Sequence, residues 1–351
     1  MVNFKLGILG SGQLGRMTVQ AASNYGISCH IFAPNAKNSP AGQICNTVTN
    51  AEYTDEKKLR HFYNMVDAVV CEFENVPVLA LEMASKNLLT SPGIKALATA
   101  QNRLNEKETA RLLGIPTAPF WKITSIDDLA SAMNLSNGKA ILKTAKFGYD
   151  GKGQIRTQSG EKIESLWQKI NTDLAILETL IDFKKEISIL IARDVDGKTA
   201  IFPPTINYHE DGILLHSTAP AILPSRIIEA GNSYAKLLAD HLEVVGLLAI
   251  EFFLTKENTL IFNEIAPRPH NSFHWTIEGC KTSQFHQLVR SVSGLPLGDV
   301  SINGVWHMEN ILGQKVAEIS DGYKYSGKYV HEYGKLKAKK NRKMGHVTWK
   351  E

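Results

Sequence analysis

Glu251 and Glu264 are the residues of this chain best placed to do chemistry. They lie in AIEFFLTKENTLIFNEIAPRPHNSFHWT, residues 249–276. That stretch reads as two apolar, β-branched and aromatic strands, roughly 247–254 and 259–265, joined by a tight turn. A two-residue turn at Glu257-Asn258 sets Glu251 opposite Glu264 on one face. Carboxylates directly opposed across strands repel, and apolar neighbours that exclude water aggravate the conflict. A divalent cation removes it, and hard oxygen ligands suit magnesium. Arg268, His270 and Asn271 follow at once, ready to hold an anion beside the metal. A solvent-facing hairpin with two incidental glutamates fits the same letters.

Two glycine loops add phosphate chemistry. Gly10-Ser11-Gly12-Gln13-Leu14-Gly15 is GxGxxG directly after a strand and before a helix, where helix N-terminal amides can cradle an anion. Dinucleotide binding also needs an acidic residue about 20 residues on. The second strand instead ends Ala33-Pro34-Asn35, which favours a monophosphate site or a structural turn. The loop Phe147–Gln154, FGYDGKGQ, joins two strands and lacks the GK[ST] ending of a P-loop. Such a loop can fold over phosphates as a mobile cover, with Lys152 adding charge; a flexible hairpin is the plainer alternative. Lys143 ends the apolar strand before it, in position to reach a phosphate or to snorkel. Glu178 to Ile181 end another strand, whose backbone can meet an adenine edge, and Glu186 on the next strand can take ribose hydroxyls.

These residues need elements to hold them. Residues 1–95 alternate strand and helix, which argues a parallel sheet with helices on both faces. A helical stretch is expected over 94–113. Strands at 120–123, 140–144 and 175–180 surround helices at 126–133 and 163–170. Strands at 185–192, 199–203 and 212–218 join the 247–265 hairpin in an antiparallel sheet. Helices are expected at 230–242 and 282–293, with a small C-terminal unit of short strands after Leu295. The expected division is 1–98, then 99–295 with a mobile lid about 117–178, then 296–351.

At 351 residues the chain is long enough for two or three domains. Its net charge of +4 is too small to imply a nucleic-acid binder. Lys335, Lys337, Lys339, Lys340, Arg342 and Lys343 concentrate the positive charge; without these six the balance would be −2. Such a run is a solvated tail or a nucleic-acid patch in many chains, but Tyr333, Val347 and Trp349 flank it, so a folded phosphate-binding loop competes. Cys29, Cys45, Cys71 and Cys280 show no metal spacing and fit a reducing cytosol. No apolar run approaches the roughly 20 residues needed to span a bilayer, and no signal sequence opens the chain.

Taken together, GSGQLGRM, CEFENVP (Cys71–Pro77), FGYDGKGQ, NYHEDGI (Asn207–Ile213), NEIAPRPHNSFHWT and RKMGH (Arg342–His346) occur in an order that resembles the 5-(carboxyamino)imidazole ribonucleotide synthetases. That family belongs to the ATP-grasp superfamily, and the likeness spans nearly the whole chain. It implies a mixed α/β ATP-grasp fold with a Rossmann-like N-terminal domain and a small β-rich C-terminal domain. It implies that ATP phosphorylates bicarbonate to carboxyphosphate, whose carboxyl group, as CO2 or directly, reaches the amine of 5-aminoimidazole ribonucleotide.

The resemblance also implies residue roles. Glu251 and Glu264 would hold Mg2+. Arg103, Lys143 and the cover Gly148, Tyr149, Asp150, Gly151, Lys152, Gly153 and Gln154 would hold ATP phosphates. Glu178, Thr179, Leu180 and Ile181 would meet adenine, Glu186 the ribose, and His209 and Asn263 would border the nucleotide. Arg268, His270 and Asn271 would cradle bicarbonate or carboxyphosphate, and Asp150 would orient the amine and take its proton. Gln13, Leu14 and Glu74 would touch the substrate ribose or phosphate, with Lys335, Arg342 and Lys343 on its 5′-phosphate. The implied partners are these small molecules and a second copy of the chain, with no nucleic acid and no membrane. Three positions depart from the pattern: Phe147 where many relatives carry Gly, Lys152 where Arg is frequent, and Ala266 where many ATP-grasp enzymes place Asn.

Three other readings compete. A sister ATP-grasp ligase using formate and glycinamide ribonucleotide shares the cover, the acidic pair and the tail, though RPHNSFHWT favours the bicarbonate enzyme. A nicotinamide oxidoreductase would rest on GxGxxG alone. An RNA-binding protein would rest on the basic run and bind with steep salt dependence.

Overall fold

The computed structural model describes residues 3–146, 148, 153–320 and 326–351. The expected roles of Tyr149, Asp150, Gly151 and Lys152 therefore fall outside the described residues.

The N-terminal unit runs β1 (Lys5–Leu9), α1 (Gln13–Ser23), β2 (Ser28–Ala33), β3 (Thr47–Asn50), α2 (Glu56–Tyr63), β4 (Ala68–Cys71), α3 (Val78–Ser85) and β5 (Leu89–Ser91). The strands form a parallel sheet in the order β3-β2-β1-β4-β5. Near-continuous apolar strands such as Ala68–Cys71 are buried throughout, as a sheet covered on both faces requires. β3 has no such signal because it is a partly exposed edge strand.

The helix expected over 94–113 is two, α4 (Ile94–Ala100) and α5 (Arg103–Leu112). The Asn102 side chain accepts from the Leu104 N–H at 3.0 Å, an N-cap that restarts the helix. Gln101 donates to Glu74 O and Val76 O, both at 2.7 Å, and so ties the CEFENVP loop to this junction. Next come β6 (Phe120–Ile123), α6 (Ile126–Leu135), β7 (Ala140–Thr144), β8 (Gln154–Thr157), α7 (Ile163–Ile170) and β9 (Ala175–Thr179). Their antiparallel sheet, β6-β9-β7-β8, packs on α6 and α7 through Leu129, Leu142, Leu166 and Leu177.

The central sheet takes β10 (Phe183–Arg193), β11 (Thr199–Ile201), β12 (Thr205–Glu210), β13 (Ile213–Ala219), β14 (Gly246–Thr255) and β15 (Leu260–Ala266), with α8 (Ser225–His241) packed against β10 and β14. β12 escaped the apolar-pattern reading because it is inverted: Thr205 and Asn207 are buried while Tyr208 is exposed. After α9 (Thr276–Gly279) and α10 (Gln284–Val292), strands β16 (Trp306–Leu312), β17 (Tyr329–Glu332) and β18 (Lys343–Lys350) continue this same sheet. Its order is β15-β14-β10-β12-β13-β16-β18-β17, with β11 beside β10. The C-terminal strands are thus joined to the central strands by backbone hydrogen bonds.

The hairpin β14–β15 pairs Glu251 with Glu264, but not by a two-residue turn. Thr255 N–H donates to Thr259 O at 3.0 Å, so the turn is Lys256-Glu257-Asn258. A two-residue type I′ turn needs positive φ at both central positions; among Glu257 and Asn258 only Asn258 has it, at 62°. The pairs nearest the turn, such as Phe253 with Ile261, are therefore offset by one residue from the expected register. A β-bulge at Asn263, between Glu251–Glu264 and Phe252–Phe262, restores the alignment of the two glutamates.

Candidate active site

The two opposed carboxylates sit among groups that sharpen their conflict. Burial and then the charge of Glu264 push Glu251 up to about 7. Ser188 Oγ lies 3.5 Å from Glu251 Oε1 and His270 Nε2 lies 3.6 Å from it. A third carboxylate, Glu106 on α5, is pushed up to about 8 by burial and by Glu264, while accepting the Ile265 N–H at 2.9 Å. Among the described residues no set of three or more histidine, cysteine or acidic side chains can hold a metal alone. The pair nevertheless fits magnesium, which is usually held by one or two carboxylates and completed by nucleotide phosphates and water.

Between α5, β7 and β9, Glu178 forms a buried double ion pair. Lys107 Nζ is 3.0 Å and Lys143 Nζ 3.1 Å from its carboxylate oxygens. Burial raises the Glu178 pKa, but the two lysines outweigh it and hold the carboxyl at about 2. The side chain thus points to lysines, not to an adenine edge. Lys107 also donates to Phe262 O at 3.2 Å, linking α5 to β15. Thr179 N–H and Leu180 N–H already donate to Pro119 O and Lys139 O, so neither is left for a base. Lys143 pairs in register with Gln154 across the mouth of the cover loop, where Thr144 N–H donates to Gly153 O at 2.9 Å. Arg103 donates to Thr144 O at 3.2 Å, and a side chain at Gly148 would collide with its guanidinium. Glu186 and His209 form a hydrogen-bonded ion pair. Burial opposes the charged ring, but Glu186 and the charge of Glu251 raise His209 above its ordinary range.

The first glycine loop holds a carboxylate of the chain itself. Glu72, at the end of β4, accepts Gly12 N–H at 2.5 Å and Leu14 N–H at 3.2 Å. A Cβ at Gly10 or Gly12 would lie within 2.6 Å of Glu72 atoms, so the glycines make room for that side chain. A pyrophosphate at this helix N-terminus would have to displace Glu72, which closes the nicotinamide reading. Burial, the largest influence, raises the Glu72 pKa against the opposing N–H donors. Beside this turn a cavity of about 480 Å³ is lined by Ser11, Gln13, Asn35, Ser39, Lys335 and Arg342. Leu14 is buried and does not line it. Lys335 Nζ donates to Lys343 O at 2.6 Å. The Lys343 charge acts instead on Glu251, His209, His270 and His274, on the side of the acidic pair.

The loop after β15 lies between these regions. Arg268 pairs with Glu74 at 2.5 Å and donates to Pro269 O at 3.1 Å. Burial, then Arg268 and Lys343, push His270 well below its ordinary range, so the ring is neutral. His270 Nδ1 lies 2.8 Å from Ser272 Oγ. Gln284, fully buried on α10, clamps the His270 backbone by accepting its N–H at 2.8 Å and donating to its C=O at 3.0 Å.

Sequence reasoning missed Glu106, Lys107, Glu72 and Gln284. Glu106 and Lys107 share a helix face with Arg103 at i+3 and i+4 spacing, a signal that was available. Glu72 and Gln284 act across more than 10 residues of chain separation on backbone groups, and no local pattern reveals such contacts.

Three family models match the chain: a ribonucleotide synthetase preATP-grasp domain over residues 3–101, an ATP-grasp domain over 108–285, and a phosphoribosylaminoimidazole carboxylase C-terminal domain over 307–350. The N5-carboxyaminoimidazole ribonucleotide synthase of Brucella melitensis is 40% identical over 345 residues, covering 98% of this chain and 95% of that one. A solved ADP complex of an N5-carboxyaminoimidazole ribonucleotide synthetase superposes with TM-score 0.94 at 38% identity, covering 99% of this chain and 92% of that one. The Aspergillus clavatus N5-carboxyaminoimidazole synthase, solved with ADP and 5-aminoimidazole ribonucleotide, gives TM-score 0.92 at 28% identity, covering 99% and 94%.

Proposed function

The chain belongs to the N5-carboxyaminoimidazole ribonucleotide synthase family of ATP-grasp ligases, and we propose how its residues divide the work of that reaction. The enzyme carries out ATP-dependent carboxylation of 5-aminoimidazole ribonucleotide in purine biosynthesis. Arg103, Lys143 and the cover Gly148–Gln154 hold the ATP phosphates, Glu178–Ile181 flank adenine, and Glu186, His209 and Asn263 border the nucleotide. Because the Thr179 and Leu180 N–H groups are already paired, the contribution of this strand end to the base falls to Ile181 and to carbonyl oxygens. Glu251 and Glu264 hold magnesium, which when bound neutralises phosphate charge.

The γ-phosphoryl group leaves ADP and bonds to a bicarbonate oxygen, giving carboxyphosphate. Arg268 and Asn271 donate to the carboxyphosphate once it has formed and to the charge that develops as it is cleaved. His270, kept neutral, offers one donor and one acceptor rather than a second full charge. The amine nitrogen of the ribonucleotide then bonds to the carboxyl carbon. Phosphate leaves with the C–O electron pair, and Asp150 takes the proton released from nitrogen. Gln13, Lys335 and Arg342 hold the ribonucleotide, and Glu74 orients Arg268. Lys343 contributes charge to the transfer site more than to the 5′-phosphate.

One observation carries this reading: the Glu251–Glu264 register, with the Arg268–Asn271 loop starting four residues later beside it. We further propose the divisions 1–98, 99–295 with a lid about 117–178, and 296–351: the parallel sheet supports the first and the four-stranded sheet the lid, whereas the last rests on the family model over 307–350, since its strands continue the central sheet. A cytoplasmic homodimer is proposed from the family resemblance; the free cysteines support the reducing compartment. No helix among the described residues is long and apolar enough to cross a membrane. The test is ADP release with MgATP and bicarbonate, with and without 5-aminoimidazole ribonucleotide. Strong stimulation, with one acid-labile carbamate per ADP, supports the proposal. ATP binding without stimulation refutes these roles and favours the formate-using sister.

A further inference from the structure

Asn310 stands on β16, outside every motif that suggested chemistry, and is 5% exposed. Its amide faces that of Asn271 in a reciprocal pair. Asn310 Nδ2 donates to Asn271 Oδ1 at 2.7 Å, and Asn271 Nδ2 donates to Asn310 Oδ1 at 3.0 Å. Asn310 Nδ2 also donates to Leu214 O at 2.9 Å. A backbone carbonyl can only accept, so Leu214 fixes which end of the Asn310 amide is nitrogen. The oxygen must then face Asn271, which in turn fixes the orientation of Asn271. By inventory, one N–H and one oxygen lone pair of Asn271 remain outside the pair, aimed by a partner on another strand.

That partner strand is not neutral ground. Asn310 is in register with His346 on β18, and Leu312 with Lys343. Lys343 O in turn receives Lys335 Nζ at 2.6 Å. β16 therefore connects the segment that lines the ribonucleotide cavity to the loop that carries Asn271.

We propose that Asn310 is a positioning residue that aims Asn271 at the carboxyl-transfer centre and so couples ATP cleavage to carboxylation. The inference rests on the role of Asn271 proposed above. With Asn310 in place, the Asn271 N–H meets the carboxyphosphate anion in one orientation. Without it the amide is free to rotate, and the intermediate is lost to water while ATP is still cleaved. The phosphoryl transfer itself needs Arg103, Lys143 and the acidic pair, none of which bonds Asn310.

The experiment measures ADP and acid-labile carbamate in the same reaction for the wild type, Asn310→Ala, Asn310→Ser, Asn271→Ala and the double variant Asn271→Ala/Asn310→Ala. Serine keeps a donor on the strand for Leu214 O but is too short for the amide pair. The ratio of ADP to carbamate does not depend on how much protein is folded. Asn310→Ala and Asn310→Ser are expected to raise it from near one to at least about threefold, with carbamate formation down about tenfold, since small misplacements at a reacting centre cost on the order of ten- to a hundredfold. The double variant should be no less coupled than Asn271→Ala alone. A proportional fall of ADP and carbamate in both Asn310 variants overturns the inference. If Asn271→Ala uncouples and the Asn310 variants do not, this inference fails alone; if Asn271→Ala leaves the ratio unchanged, the role of Asn271 fails with it.

Discussion

Replacing Glu178 with glutamine tests the buried network that joins α5 to the nucleotide side. The carboxylate lies within 3.1 Å of both Lys107 and Lys143, and its side chain is only 6% exposed. Its displacement from 4.5 to about 2 corresponds to ~3 kcal/mol at neutral pH. Removing one member of a buried ion pair costs about 3–5 kcal/mol by a separate route, because the remaining charge is stranded. The sign follows from the depressed acid: its contribution is complete above about 4.5 and disappears as pH falls from there through about 2. Urea unfolding of wild type and Glu178→Gln at pH 7 and at steps between pH 5 and 3 reads both effects. The variant should lose ~3 kcal/mol at pH 7, and the gap should narrow steadily as the wild type is acidified. Lys143 would lose its anchor, so the KM for ATP should rise as well. A loss below about 1 kcal/mol at pH 7, with the wild-type acid slope retained, would refute the account of Glu178 as the hub of this network.

Glu251→Gln removes one of two opposed carboxylates, so the ligand-free protein should gain up to ~1 kcal/mol while magnesium-dependent turnover is abolished; urea unfolding beside an ADP assay reads both. Lys335→Ala should raise the KM for the ribonucleotide about tenfold or more and leave that for ATP nearly unchanged, because a charge-assisted bond is worth roughly 1.5–3 kcal/mol; equal effects on both substrates would reject the cavity assignment. Asp150→Asn should keep ATP binding, measured by calorimetry, and lose most carboxylation, and near-normal turnover there would remove Asp150 from proton transfer. Glu72→Gln sets an amide N–H against the N–H of either Gly12 or Leu14, because the two bond different carboxylate oxygens, so it should destabilise the N-terminal unit by about 1–3 kcal/mol in urea unfolding.

The sequence by itself determined the elements and the points where chemistry could occur. The apolar, β-branched and aromatic run along 247–265 identified the hairpin, and pairing across its turn put Glu251 opposite Glu264 on one face. The Glu251–Glu264 pairing emerged although the turn was misjudged, because a bulge at Asn263 offsets the third turn residue. Those features are local: they depend on backbone periodicity and on which residues tolerate a turn. What the tertiary structure decided was which group meets which across the fold. The amides of the first glycine loop could hold any anion, and only the packing of β4 beside β1 shows that Glu72 takes them. Glu178 could face a base or a lysine, and α5 brings Lys107 to it. Lys335 and Lys343 belong to one basic run, yet the direction in which β18 enters the sheet sends their charges to different regions. Asn310 carries no pattern at all, since its partner Asn271 lies on another element 39 residues away. Pairings of that kind depend on long-range closure of the chain, which no window of sequence contains.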